Sequence, residues 1–282
     1  MSENIIMKRI IQVFKAPDQW VNSPPGLGDF IRGTCHLHEF LSSKNIDFSI
    51  DISQSDFHNH IFQDAQLFSI NDSEDIVNAT EYFTHHNLLI NDINQFLNSS
   101  ETSLFVSTNF GNWNRVNLPL LTKETMKMLY VFNDSVSFDV SSNIPVNEYE
   151  VLSIRCGDKF YGKPEFSPED SLLSIIFNII ENIILPNLKS PLVITSDSFH
   201  VKNHLSEKYG FLMLPHQSEH GAFNSSCYPV CMDMHLLKNS KYIYHINVWA
   251  NWWSGFSHFT SQIFSIPSLN FRAPEFQTEQ VL

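Results

Sequence analysis

Short β-rich runs alternate with longer helical patterns along this chain; the alternation pauses at a turn-rich stretch, residues 141–145, and restarts beyond it. This pattern is the strongest constraint on the fold, because strand–helix alternation builds parallel sheets covered by helices. Lys8-Arg9-Ile10-Ile11-Gln12-Val13-Phe14 reads as the first strand, and Phe30, Ile31, Leu37, Phe40 and Leu41 mark a helix over residues 29–41. Further strands are expected at 46–52, 104–107, 149–154, 192–195, 211–214 and 242–245, and helices at 118–129, 198–209, 230–237 and 256–264. Another helix opens at Ser167-Pro168-Glu169-Asp170, where Ser suits the N-cap, Pro the first turn and the acids the helix dipole. Residues 55–100 are polar and carry no assignment. The turn-rich stretch divides the 282 residues into two doubly wound α/β domains, 1–145 and 146–282. Ligands of such sheets bind at the carboxyl ends of the strands, so the site is expected in the cleft between the domains.

Composition narrows the partners. With 43% hydrophobic and 17% charged residues, the chain is too apolar and too lightly charged to be disordered. Seventeen Lys and Arg against 30 Asp and Glu leave a net charge of −13, which argues against nucleic acid or an anionic membrane as a main partner. The longest apolar candidate, from Leu172 to Leu185, is broken by Ser174, Asn178, Glu181 and Asn182, so no integral membrane segment is expected. Glu3 stands where a secretion signal carries cations, and the expectation is a soluble, cytoplasmic protein. Four cysteines (Cys35, Cys156, Cys227, Cys231) are too few for a disulfide framework in a chain this long.

Four constellations carry chemistry. Pro24-Pro25-Gly26-Leu27-Gly28-Asp29-Phe30-Ile31-Arg32-Gly33 holds three of the chain's nine glycines between a strand and a helix. Small residues there let a ligand approach the backbone, and a helix N-terminus favours an anion. The plain alternative is a tight turn with Asp29 as N-cap. Arg155, in Ser153-Ile154-Arg155-Cys156-Gly157-Asp158, sits at a strand's carboxyl end, where a guanidinium can grip phosphate through two hydrogen bonds; its alternative is a structural ion pair with Asp158 or another acid. Thr195-Ser196-Asp197-Ser198 offers hydroxyls and a carboxylate for a ribose or base, or simply caps a helix. Asn251-Trp252-Trp253-Ser254-Gly255-Phe256-Ser257, reached through Asp233 and Tyr242-Ile243, places hydroxyls and amides before a helix, where a diphosphate can be held.

In this order the four pieces resemble the α1,2-/α1,6-/peptide-O-fucosyltransferase group of GT-B glycosyltransferases. The matching residues are Gly26-Leu27-Gly28-Asp29, Ser153 to Asp158, Ser196-Asp197 and Trp253-Ser254-Gly255-Phe256-Ser257. The resemblance implies a GT-B fold of two Rossmann-like domains facing a central cleft, the first on the acceptor side and the second binding the nucleotide-sugar. It implies transfer of fucose from GDP-fucose to a hydroxyl of a glycan or glycoconjugate. It assigns Gly26, Gly28, Arg155, Asp158, Ser196, Asp197, Ser254, Gly255 and Ser257 to the donor. The sequence has no Asp-x-Asp motif, so no metal and no cofactor beyond the donor substrate are expected, and Arg155 with the surrounding amides meets the diphosphate charge.

The chain departs from the family at three positions. Ser153 and Cys156 replace the family's His and second basic residue of the guanosine-diphosphate site, which makes UDP-xylose or another UDP-sugar the alternative donor. Asp29 replaces the Gly-loop Asn; an acid there repels a diphosphate, so Asp29 is expected to face the acceptor and act as the base of an inverting displacement. Rival classes are a non-catalytic nucleotide-sugar-binding protein and an α/β phosphatase or epimerase. Cys227, Cys231 and His235, four apart, are read as packing before a metal site; Asp56, His58 and His60, and His85 with His86, as solvated loops; His216 and His220 as a loop that either contacts the nucleotide or is inert; Trp249, Trp252 and Trp253 as core.

Overall fold

The computed structural model describes residues 8–14, 26–44, 46–53, 55–61, 77–78, 86–108, 117–156, 171–216, 226–248, 254–272 and 278–281. Strands β1 (Arg9–Val13), β2 (Asp47–Asp51), β3 (Val77–Asn78) and β4 (Ser103–Ser107) form a parallel sheet in the order β2-β1-β4-β3. A second sheet holds β5 (Glu150–Arg155), β6 (Leu192–Ser196), β7 (Leu212–Met213), β8 (Ile243–Asn247), β9 (Ser268–Arg272) and β10 (Thr278–Val281), ordered β10-β9-β8-β5-β6-β7. All its strands are parallel except β10, which runs antiparallel to β9. Both sheets start a new strand order around a central pair, the arrangement that opens a crevice at the carboxyl ends.

The second sheet is covered on both faces, and its strand sequences alternate between two cores. Leu152, Ile154, Ile194 and Ile246 pack with α5 (Ser171–Ile179) and α6 (Phe199–Tyr209). The intervening Val151, Val193 and Ile243 point the other way, towards α7 (Tyr228–Lys238) and α8 (Gly255–Phe264). That second core is continuous with the first half: Phe30, Ile31 and Cys35 of α1 (Leu27–Ser42) join Phe259 and Ile263 of α8. Met126 of α3 (Leu120–Leu129) and Val136 and Val140 of α4 (Asp134–Asn143) belong to it too. A third, smaller core sets Leu89, Ile93 and Phe96 of α2 (His86–Asn98) against Ile10, Leu37, Leu41 and Val106.

Four details differ from the sequence reading. The first helix starts at Leu27, so Gly26 is its N-cap and Asp29 lies inside the first turn. Residues 141–143, read as turn, are the last residues of α4, whose Asn133 cap accepts from the Val136 amide. Helix α2 lies within the stretch left unassigned, and β3, β9 and β10 were not anticipated. The proposed Ser167 cap lies outside the described residues. By contrast α6 has the caps its sequence spells: the Ser198 hydroxyl accepts from the Val201 amide, and Gly210 closes the helix at φ 72°. Among the described residues no helix is long and apolar enough to cross a membrane.

The segment read as a solvated loop with Asp56, His58 and His60 is a 3₁₀ turn, Asp56–Asn59, that fastens the first half to α7. One Asp56 carboxylate oxygen accepts from the Cys227 amide at 2.9 Å and the Ser226 hydroxyl at 3.1 Å, and the other from Asn59 at 2.9 Å. Burial raises the Asp56 pKa, but the hydrogen bonds from Asn59, Cys227 and His60 outweigh it and hold the group at about 2, against an ordinary 3.8. A carboxyl with a depressed folded pKa stabilises the fold above its unfolded pKa and loses that contribution as pH falls through the folded one. Asp56→Ala is therefore expected to lower the melting midpoint at neutral pH, by about 1 kcal/mol of stability. The gap from wild type should close between about pH 4 and pH 2 in thermal melts; a gap independent of pH would assign it to lost packing.

Candidate active site

Helices α1 and α8 each follow the carboxyl end of a strand, β1 in one sheet and β8 in the other, and their first turns touch. The contact is backbone on backbone. A Cβ built on Gly28 would stand 2.5 Å from the Phe256 nitrogen, and one on Gly255 would stand 2.7 Å from the Gly28 carbonyl oxygen. The carboxyl ends of both sheets thus face the same junction. The glycines that read as room for a ligand make room, in the first place, for the opposite helix.

Neither of these helices is capped by a side chain. Gly26 has none to offer, and Ser254, the N-cap of α8, makes no side-chain capping hydrogen bond. Helices α4 and α6 do have such caps, from Asn133 and Ser198. Two helix N-termini whose positive dipole ends converge form a place suited to an anion.

Arg155 ends β5 in the same sheet, and its strand neighbour in register is Asn247, the last residue of β8. Its Nη1 donates to Asp197 Oδ2 at 2.5 Å, while Asp197 Oδ1 accepts from the Cys156 amide at 2.7 Å. The ion-pair alternative for Arg155 is thus realised, with Asp197 as the acid. A guanidinium carries five N–H donors, and the Arg155 side chain stays 32% exposed, against 15% for Asp197. Asp197 fixes the direction of the guanidinium, part of which is exposed.

Two of the serines assigned to the donor are buried and bonded within the fold. Ser196 is 4% exposed and its hydroxyl accepts from the Ser198 amide, so it shapes the turn into α6. Ser257 is 1% exposed, and its hydroxyl is hydrogen-bonded with His245 Nδ1 at 2.9 Å, which fastens α8 onto β8. Burial, with a smaller contribution from nearby His258, pushes the His245 pKa well below 6.5 and keeps the ring neutral. No motif points to His245; in register it lies directly opposite Ser153, where the fucosyltransferase pattern has its histidine. Cys156 is buried with its thiol against the Ser196 hydroxyl, and burial raises its pKa far above the ordinary thiol range.

Asp29 lies in the first turn of α1, next to Gly28, and pairs with Arg32 one turn on at 3.0 Å. Its side chain is 34% exposed whereas that of Arg32 is 3% exposed. Burial lowers the Arg32 pKa to about 10, against the opposing attraction of Asp29. Asp158, the Trp249, Trp252 and Trp253 group, His85 and His220 lie outside the described residues. His216 pairs with the buried Asp233 at 3.4 Å, and its carbonyl accepts from the fully buried Lys202, so it ties α6 to α7. Cys227 and Cys231 are buried free thiols, and His235 packs edge-on against Phe132. Among the described residues no three His, Cys, Asp or Glu side chains gather closely enough to hold a metal.

Two parallel sheets with facing carboxyl ends, joined by helices across the junction, make the GT-B architecture. Fucosyltransferase NodZ from Bradyrhizobium shares it, with a TM-score of 0.56 over 98% of this chain and 99% of that one, at 10% identity. NodZ alpha-1,6-fucosyltransferase co-crystallized with GDP matches at 0.56 over 97% and 98% of the two chains, again at 10% identity. The apo form of POFUT1 matches at 0.50 over 94% and 97%, at 11% identity. At these identities the likeness is one of fold. No protein-family model matches the chain, and no curated relative does.

Proposed function

We propose that this chain is an inverting, metal-independent glycosyltransferase that moves fucose from GDP-fucose to a glycan hydroxyl. Residues 146–282 bind the donor and residues 1–145 present the acceptor. The observation that carries this reading is the meeting of the uncapped N-termini of α1 and α8 at the carboxyl ends of both sheets, with Arg155 at the end of β5. Such a place stabilises the charge that builds on a leaving nucleoside diphosphate. The GT-B fold and the structures of NodZ co-crystallized with GDP and soaked with GDP-fucose support a nucleotide-sugar as its occupant. UDP-xylose or another UDP-sugar is the second reading, favoured by one fact: Ser153 and Cys156 are both buried and uncharged, so neither adds a cation for GDP.

The test is a thermal-shift comparison of GDP-fucose, UDP-xylose, GDP, UDP and the free nucleosides, followed by transfer assays with the donor that binds. A specific ligand raises the midpoint by mass action. A shift from the GDP series carries the first reading, one from the UDP series alone carries the second, and none from either overturns both. Arg155→Ala should weaken binding of the diphosphate by about 1.5–3 kcal/mol and leave the nucleoside nearly unaffected. Should the variant instead melt early while binding per folded molecule stays normal, Arg155 serves only its pair with Asp197.

A further inference from the structure

Six large apolar side chains stand exposed among the described residues, and five of them fall between residues 120 and 138: Leu120, Leu121, Met128, Val131 and Phe138. Leu120 at 73%, Leu121 at 62% and Met128 at 79% exposure fall within an arc of about 100° on α3, Met128 lying two turns along from Leu121. The opposite side of α3 is anchored. Thr122 and Met126 are buried, and the Thr122 hydroxyl is hydrogen-bonded with His38 of α1 at 3.1 Å. The helix is therefore held firmly while presenting an apolar stripe outward.

We propose that this stripe is where two copies of the chain associate, α3 lying antiparallel against α3 across a two-fold axis. The three side chains of α3 offer on the order of 400 Å² of apolar surface, a sizeable patch for a monomer and the size of a weak, reversible interface. The charges within the stripe select the partner. Glu124 pairs with Lys127 of the same helix at 2.8 Å. A Glu–Lys pair turned by a two-fold axis meets its copy with Lys opposite Glu, so the face is its own complement. A net charge of −13 makes broad contact between copies repulsive, and a near-neutral apolar stripe is the kind of surface on which that repulsion is least.

The experiment is sedimentation of the full chain over two decades of concentration. A concentration-dependent dimer is expected, and Met128→Glu should raise its dissociation constant by about tenfold or more, with an unchanged melting curve at dilutions where both proteins are monomers. Glu124→Lys and Lys127→Glu should each weaken self-association, because like charges then face one another. Mixed in equal amounts, these two variants should form heterodimers in excess of the statistical share, although each has lost the pair within its own helix. A wild-type monomer throughout the range overturns the proposal, as does a dimer indifferent to Met128→Glu. A statistical or smaller heterodimer share overturns the antiparallel pairing.

Discussion

Gly28→Ala is expected to lower stability by about 2–3 kcal/mol, a drop in melting midpoint of roughly 5–10 °C for a chain of this size. The added methyl would stand 2.5 Å from the Phe256 nitrogen and 3.0 Å from the Gly255 carbonyl carbon. Both are backbone atoms near the start of α8, so no side-chain rotation relieves the clash and the helices must part. Gly255→Ala pushes on the same contact from the other side, 2.7 Å from the Gly28 oxygen. Once the helices have separated for one substitution, the second meets less resistance, and the double variant should cost less than the two singles together. Parting α1 from α8 also pulls the two helix N-termini away from a shared anion, so donor affinity should fall with stability. Gly210→Ala is the internal comparison. Gly210 has φ 72° with no atom within 4 Å of its missing Cβ, so its cost is backbone strain alone, about 1 kcal/mol, and donor affinity should not change. Calorimetry on the four variants separates these outcomes; a Gly28→Ala protein as stable as wild type would mean that the helices do not meet as described.

How far the sequence reaches is visible at the same glycines. Their rarity and their place between strand and helix read as room for a ligand at the backbone, and the space is taken by the backbone of the opposite helix. What periodicity cannot supply is the identity of the approaching partner, because Gly28 and Gly255 are 227 residues apart and only the folded sheets bring them together. Strands β5, β6 and β8 were legible because parallel strands covered on both faces are continuous apolar runs. Helix α4 was not: Asp134 to Asn143 holds five Ser or Asn residues that compete with the helical backbone, and Val136 and Val140 are its only buried residues. Its stability comes from the Asn133 cap and from packing on α7, neither of which is local periodicity. The two serines show a related limit. A Ser next to a strand end reads alike whether its hydroxyl turns to a ligand or into the core, and Ser196 and Ser257 turn inward. Arg155 shows the limit on the other side, since the position of a cation was readable but its tie to Asp197, 42 residues on, rests on the pairing of β5 with β6.

Asp29→Asn is expected to reduce sugar transfer by roughly a hundredfold or more while donor affinity stays near normal or rises, if Asp29 is the base that takes the acceptor proton. One competing role is gone, because α1 starts at Leu27 with Gly26 as its cap. The role that competes now is the ion pair with Arg32, whose guanidinium is nearly enclosed and relies on the Asp29 charge 3.0 Å away. Removing that charge takes one partner from a buried cation and costs stability whether or not Asp29 is catalytic. Loss of activity in the single variant is therefore not decisive by itself. Replacing both partners is: Asp29→Asn with Arg32→Met exchanges the pair for neutral groups, and such exchanges are often neutral or stabilising. The double variant should regain the wild-type melting midpoint, or most of it. Turnover per folded molecule then reads the chemistry alone. A restored midpoint with transfer still down about a hundredfold assigns the proton to Asp29. A restored midpoint with restored transfer makes the carboxylate an anchor for Arg32, and the base must then be sought among other residues facing the acceptor.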